Sequence, residues 1–208
     1  MIRQKTNPRI FSGKTVLLLA AMLFIATSAF AQWSIDEGFE GGVIPADWTV
    51  YDVNNDGYEW TAYQNTSAAH SGDWMATVEC YGSDGEDWLI TPQVTIQTGD
   101  SFIFFVKAWY GTEDFNVKLS TTGNSIGDFD VILESITGLG DEYMEYSYDL
   151  SSYAGSDIYL AVEWIQDTYA LVVDDVKVGQ AESIDVGMLS IEIPEDYHYV
   201  NSDIYPSG

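Results

Sequence analysis

The residues with the plainest capacity for chemistry are Asp52-Val53-Asn54-Asn55-Asp56-Gly57-Tyr58. Side-chain oxygens at the first, third and fifth positions, then a glycine for the sharp turn, let one loop wrap a hard cation. The Tyr58 carbonyl falls at the seventh position, and Ca2+ is the ion such a set takes. The segment departs from an EF-hand. Its twelfth position is Tyr63 rather than Glu, and the flanks WTVY and EWTAY read as strands. The absent bidentate carboxylate must therefore come from elsewhere in the chain. The competing reading is an Asx-rich turn between strands.

A second constellation joins distant parts of the sequence: Glu40, in Glu37-Gly38-Phe39-Glu40-Gly41, and the pair Asp174-Asp175 in Val173-Asp174-Asp175-Val176. Strand alternation puts Asp175 on the face of Leu171 and Val173, with Asp174 opposite. A carboxylate directed at an apolar face is costly when unpaired. A metal bridging Glu40 and this aspartate would offset that cost and pin the first strand to the last. A surface-facing acidic pair is the alternative.

Aromatic residues supply a third chemistry, the stacking of sugar rings. Trp88 and Trp164 lie inside apolar runs and read as core. Trp109 and Tyr110 close the run SFIFFVKAWY before Gly111, where strand ends border loops, and are the better ligand-binding candidates, with Trp74 beside them. Catalytic sets are poorly represented. His70 and His198 are the two imidazoles, and Ser71-Gly72 beside His70 reads as turn chemistry rather than nucleophile and base. Carboxylate pairs suited to glycoside hydrolysis are so numerous among 33 acids that none stands out. Zinc is disfavoured without Cys or His clusters. The sequence reads as non-catalytic.

The elements that must position these residues are strands. Runs rich in Val, Ile, Thr, Tyr, Phe and Trp occur at 46–51, 73–81, 87–91, 101–110, 114–121, 143–150, 157–165 and 169–178, divided by Gly, Asp, Asn and Ser. In 114–121, Phe115, Val117 and Leu119 alternate with Asn116, Lys118 and Ser120. Many short strands with turns every ten or so residues predict an all-β, jelly-roll-like antiparallel sandwich over residues 32–180. Residues 181–208 are expected to be a linker and the truncated start of a second, Ig-like β domain.

Residues 1–31 are expected to be a signal peptide: Arg3, Lys5, Arg9 and Lys14 precede an apolar run that ends on Ala29-Phe30-Ala31. Cleavage there removes four of seven basic residues and no acid, moving the net charge from −26 to −30. So acidic a chain is repelled by nucleic acid and anionic lipid and concentrates divalent cations. Surface hydration is the other use of such charge. With 46% hydrophobic and 14% aromatic residues the chain can build a core. Cys80 is the single cysteine, so no intrachain disulfide forms. It is expected to be a small buried residue, and bound metal is the obvious substitute staple for an exported sandwich.

The chain resembles the cleaved-adhesin domains of gingipain-type secreted proteases, also seen as choice-of-anchor J domains. The matching stretches are Gly38-Phe39-Glu40, Pro45-Ala46-Asp47-Trp48, Asp52 to Gly57 with Trp60, His70-Ser71-Gly72, Asp87 to Pro92, Asp149 to Gly155, and Val173 to Val176. They run in the family's order over residues 35–179. The resemblance implies a jelly-roll sandwich, structural calcium, adhesion or ligand binding, and membership in a multidomain extracellular protein. Two functions are therefore expected in competition: adhesion to an extracellular protein, or carbohydrate binding in service of a hydrolase or protease.

Overall fold

The computed structural model describes residues 32–80, 85–165 and 169–181. The expected signal peptide, and the expected second-domain segment beyond residue 181, lie outside the described residues. Among the described residues twelve strands run in chain order: β1 (Gln32–Glu37), β2 (Thr49–Asp52), β3 (Thr61–Gln64), β4 (Trp74–Glu79), β5 (Glu86–Ile90), β6 (Val94–Thr95), β7 (Ser101–Ala108), β8 (Glu113–Ser120), β9 (Val131–Leu139), β10 (Met144–Asp149), β11 (Asp157–Ile165) and β12 (Ala170–Gln180). Two short 3-10 turns, Ile126–Asp128 and Ser151–Tyr153, are the helical elements among the described residues.

The strands form two sheets, each antiparallel throughout. One has the order β10-β7-β12-β4-β3, with β1 also paired to β12. The other has the order β2-β5-β11-β8-β9, with β6 also paired to β11. Alternation sorts their side chains. Phe102, Phe104 and Val106 of the first sheet meet Phe115, Val117, Leu119, Val162 and Trp164 of the second, all buried in one core. Burying a large apolar side chain is worth about 1.5–3 kcal/mol, so this interior dominates the stability of the sandwich.

The predicted strands form, with ends shifted by at most three residues and the 157–165 strand matching at both ends. The nine residues of β9, VILESITGL, went unread. Strand β9 lies at the sheet edge, paired to β8 alone, and its register slips between Glu113 and Phe115 and again between Val117 and Lys118. Such bulges break the alternation that would have announced it. Strand β1 also went unread; it pairs with β12, so a backbone ladder joins the first and last of the described strands.

The alternation reading of Asp174 and Asp175 needs correction. Asp175 has φ +48°, in the left-handed region, and the β12–β7 register shifts between Asp174 and Lys177. The bulge switches the strand's parity: Leu171 and Val173 face the core before it, Val176 and Val178 after it. Asp174 is the fully buried carboxylate, and Asp175 is only partly covered.

Candidate functional site

The segment Asp52–Tyr58 leaves the end of β2 as a tight loop. Asn55 (φ +55°) and Gly57 (φ +85°) supply the left-handed backbone that lets it close. The Asp52 carboxylate accepts from the N–H of Asp56 at 3.2 Å and of Gly57 at 2.9 Å. Asp56 accepts from the Tyr58 N–H at 2.8 Å and the Asn54 amide at 3.0 Å, and Cys80 Sγ lies 3.3 Å from Asp56 Oδ2. The Tyr58 N–H in particular holds the Asp56 carboxyl below its ordinary range. Cys80 is buried, as expected.

Beneath the loop lies a residue that sequence reasoning passed over as a site. Asp87 is the register partner of Asp52 across the β2–β5 ladder. It is fully buried, and both its carboxylate oxygens lack a hydrogen-bond partner. Burial pushes its pKa up to about 7, and the charges of Asp52 and Asp56 push the same way. An orphaned carboxylate facing two others is the feature a cation would satisfy. Asp87 therefore has the chemistry of the carboxylate missing from the loop. Among the described residues, no three His, Cys, Asp or Glu side chains already converge as a metal-binding set. The signal available in the sequence was an acid at a core-facing position, two residues before Leu89.

The second acidic constellation is brought together as well. A side chain at Gly38 would stand 3.5 Å from Asp175 Oδ1 and 3.9 Å from both Asp174 Oδ1 and Glu40 Cγ. Backbone donors already compensate much of this charge. Asp174 accepts from the N–H of His70 (2.8 Å), Ser71 (3.2 Å) and Asp175 (2.7 Å). Glu40 accepts from the N–H of Asp73 and Trp74. Burial nevertheless raises Asp174 to about 6 and also raises Glu37. The loop between β3 and β4 is thereby tied to the carboxylates.

That loop also settles the roles of His70 and Ser71. His70 Nδ1 is 2.6 Å from Asp175 Oδ2, and its ring stacks on Phe105 at 3.6 Å. Ser71 Oγ donates to Asp175 Oδ1 at 2.8 Å, so the hydroxyl proton is directed to the carboxylate rather than to the imidazole. This wiring holds a loop in place and is not that of a nucleophile and its base.

The rest of that sheet face is open. Thr61 and Tyr63 of β3, with Thr77 and Glu79 of β4, point away from the core by alternation, since Ala62, Ala76 and Val78 point into it. Together with Gly57, Tyr58 and Glu59, and with Trp109, Tyr110 and Tyr169 beside β7 and β12, they line a cleft of about 580 Å³. Tyr63 meets Trp109 edge-on, with ring centroids 5.7 Å apart and planes at 78°. Tyr110 leans on Tyr169 at 6.1 Å and 37°. The Tyr169 hydroxyl donates to Glu79 at 2.8 Å. Buried Glu113 fixes Tyr169 by accepting from its backbone N–H, and also accepts from Ala170 N–H and the Trp164 indole at 3.0 Å each.

Two of the three aromatic candidates, Trp109 and Tyr110, line this cleft. Trp74 does not: its indole covers Gly42, where an added side chain would stand 3.1 Å from the ring. Its place on β4 is on the parity of Ala76 and Val78, away from the cleft face. Trp88 and Trp164 are core residues, as read. Tyr63, Tyr169, Glu59 and Glu79 went unread because each is an ordinary residue locally, and only the sheet order puts them together.

Residues 32–178 match the sequence profile described as Cleaved Adhesin Domain. The chain is 30% identical over 206 residues to Hemagglutinin A of Porphyromonas gingivalis, an alignment covering 84% of this chain and 8% of that protein. It thus spans less than a tenth of that relative's length. Its fold is similar to the K1 cleaved adhesin domain of Lys-gingipain from the same organism, with a TM-score of 0.61 and 25% identity over 71% of this chain and 98% of the other. A likeness of fold alone extends to the xylan-binding CBM22-1 domain of Paenibacillus barcinonensis Xyn10C, with a TM-score of 0.52 and 13% identity over 74% and 97% of the two chains.

Proposed function

Since the chain belongs to the cleaved adhesin domain family, we propose that it is a secreted, non-catalytic, calcium-binding β-sandwich module that mediates adhesion or ligand binding within a larger extracellular protein. The observation that carries the reading is the aromatic cleft on the outer sheet face. Tyr63 and Tyr110 are 47% and 64% exposed there, although large aromatic rings are normally drawn into the core. Exposed rings gathered in one concavity mark a binding surface. An accessory carbohydrate-binding module is the second reading, favoured by the exposure of the Tyr110 ring beside Trp109 in the cleft.

Calcium would be held by the loop oxygens of Asp52, Asn54, Asp56 and the Tyr58 carbonyl, completed by Asp87. A second candidate set is Glu40 with Asp174 and Asp175. The chemistry an ion would supply is charge neutralisation among crowded carboxylates, stabilising the native state by mass action. The Asp52 loop runs straight into Gly57, Tyr58 and Glu59 of the cleft wall, so an ordered loop also orders one side of the ligand site.

The test is an array of immobilised extracellular-matrix proteins and oligosaccharides, probed with the parent and with Tyr63→Ala and Tyr110→Ala. Loss of binding in both variants supports the cleft as the ligand site. Unchanged binding to every surface that retains the parent would overturn it.

A further inference from the structure

The cleft's charge and ring geometry bear on what it binds, and this step rests on its being the ligand site. Among the described residues its lining includes two carboxylates, Glu59 and Glu79, and no Lys, Arg or His. The three lysines of the described residues are engaged elsewhere. Lys107 sits 4.7 Å over the Tyr143 ring, Lys118 is 2.8 Å from Glu163, and Lys177 is 3.2 Å from Asp36. An anionic ligand would find no counter-charge there, on a chain of net charge −26.

The rings narrow the choice between neutral and cationic ligands. A pyranose stacks on one flat, open aromatic face. Here Tyr63 and Trp109 stand at 78° to one another, with Tyr110 and Tyr169 at 37°. The four rings therefore lie in several planes and do not form one flat platform. A compact cation lying over the face of an aromatic ring, within about 6 Å of its centroid, is attracted by the ring's negative quadrupole, and these four rings line the cleft. Glu79 adds a carboxylate at a fixed place, held there by the Tyr169 hydroxyl, which takes one of the roughly four acceptor sites that a carboxylate offers.

We infer that the cleft binds a cationic side chain, a guanidinium or alkyl-ammonium carried on a protein partner, held between the Tyr63–Trp109 and Tyr110–Tyr169 ring pairs and neutralised by Glu79. The volume of about 580 Å³ admits such a side chain with its flanking backbone. The partner is then a basic segment of an extracellular protein. The acidic surface raises its encounter rate while the cage supplies selectivity.

The experiment is calorimetric titration of the full chain with acetyl-Gly-Arg-Gly-amide, with the same peptide carrying uncharged citrulline, and with xylohexaose. The arginine peptide is expected to bind at least tenfold more tightly than the citrulline peptide, and more weakly as salt is raised. Tyr63→Ala and Glu79→Gln are each expected to weaken it at least tenfold, with an unchanged melting temperature certifying the fold. Equal binding of the arginine and citrulline peptides, absence of arginine-peptide binding, or arginine-peptide binding that survives Tyr63→Ala would each overturn the inference. Xylohexaose binding that is lost in Tyr63→Ala, without arginine-peptide binding, would overturn it while leaving the cleft as a ligand site of the carbohydrate-binding kind.

Discussion

Asp52 and Asp87 stand opposite one another in the β2–β5 ladder, one half-buried at the end of its strand and the other fully buried with neither oxygen hydrogen-bonded. This places a charge of the same sign on both sides of one strand pair, at the point where the Asp52–Tyr58 loop departs. The arrangement is unfavourable unless Asp87 takes up a proton or a cation sits nearby.

That relationship sets a pH dependence. The Asp87 pKa is raised from 3.8 to about 7, so the native state binds the extra proton between those values. Stability must then fall as pH rises from about 4 to about 7 and level off above, the reverse of an ordinary paired carboxylate. In chelator, the parent minus Asp87→Asn difference in melting temperature is expected to become more negative over that range, reaching about 5 °C or more in magnitude near pH 8. Scanning calorimetry at pH 5 and pH 8 measures it. A difference independent of pH would mean that Asp87 does not titrate as stated.

Calcium should act on the same group. Added Ca2+ is expected to raise the melting temperature more at pH 8 than at pH 5, because the ion competes with the proton for carboxylates. Asp52→Ala or Asp56→Ala is expected to lower the melting temperature in calcium and to abolish the calcium-induced rise. If parent and variants respond alike to chelator, the loop does not hold the ion.

Glu113 joins the core to the cleft, since one carboxylate accepts from the Trp164 indole and from two backbone N–H groups at 169 and 170. Replacing it with alanine leaves three donors, two of them buried, without that acceptor, at a cost of about 3 kcal/mol or more. Urea unfolding should show the loss as a lower midpoint. Glu113→Gln, which keeps an acceptor, should lose less.

Asp174 has the same role for the loop between β3 and β4. Asp174→Ala removes the acceptor for the N–H groups of His70, Ser71 and Asp175. The expected result is a destabilisation of about 2–3 kcal/mol, with limited proteolysis newly cutting between residues 65 and 73. By contrast Tyr110→Ala, at a 64% exposed position, should change stability by less than about 0.5 kcal/mol. That makes it a clean probe of the cleft.

What the sequence determined by itself was everything that depends on short-range pattern. Period-two alternation with β-branched and aromatic residues specified most strands and hence a sandwich, because a strand's two faces are written in adjacent residues. The Asp52–Tyr58 loop was legible for the same reason, its oxygens and its glycine lying within seven positions. Trp88, Trp164 and Cys80 were legible as core because the runs around them are apolar. What only the tertiary structure decided was the company those residues keep. Asp87 is orphaned because the β2–β5 register sets it against Asp52, and no local pattern encodes a register between strands so far apart. The left-handed Asp175 exchanged the roles of the two aspartates, since one bulged residue reverses the parity of all that follow. The cleft exists because β3 and β4 were laid beside β12 and β7, carrying Tyr63 to Trp109 and Glu79 to Tyr169 across gaps of 46 and 90 residues. Contacts at such separations follow from the order of strands in a sheet, which the burial of the whole core selects.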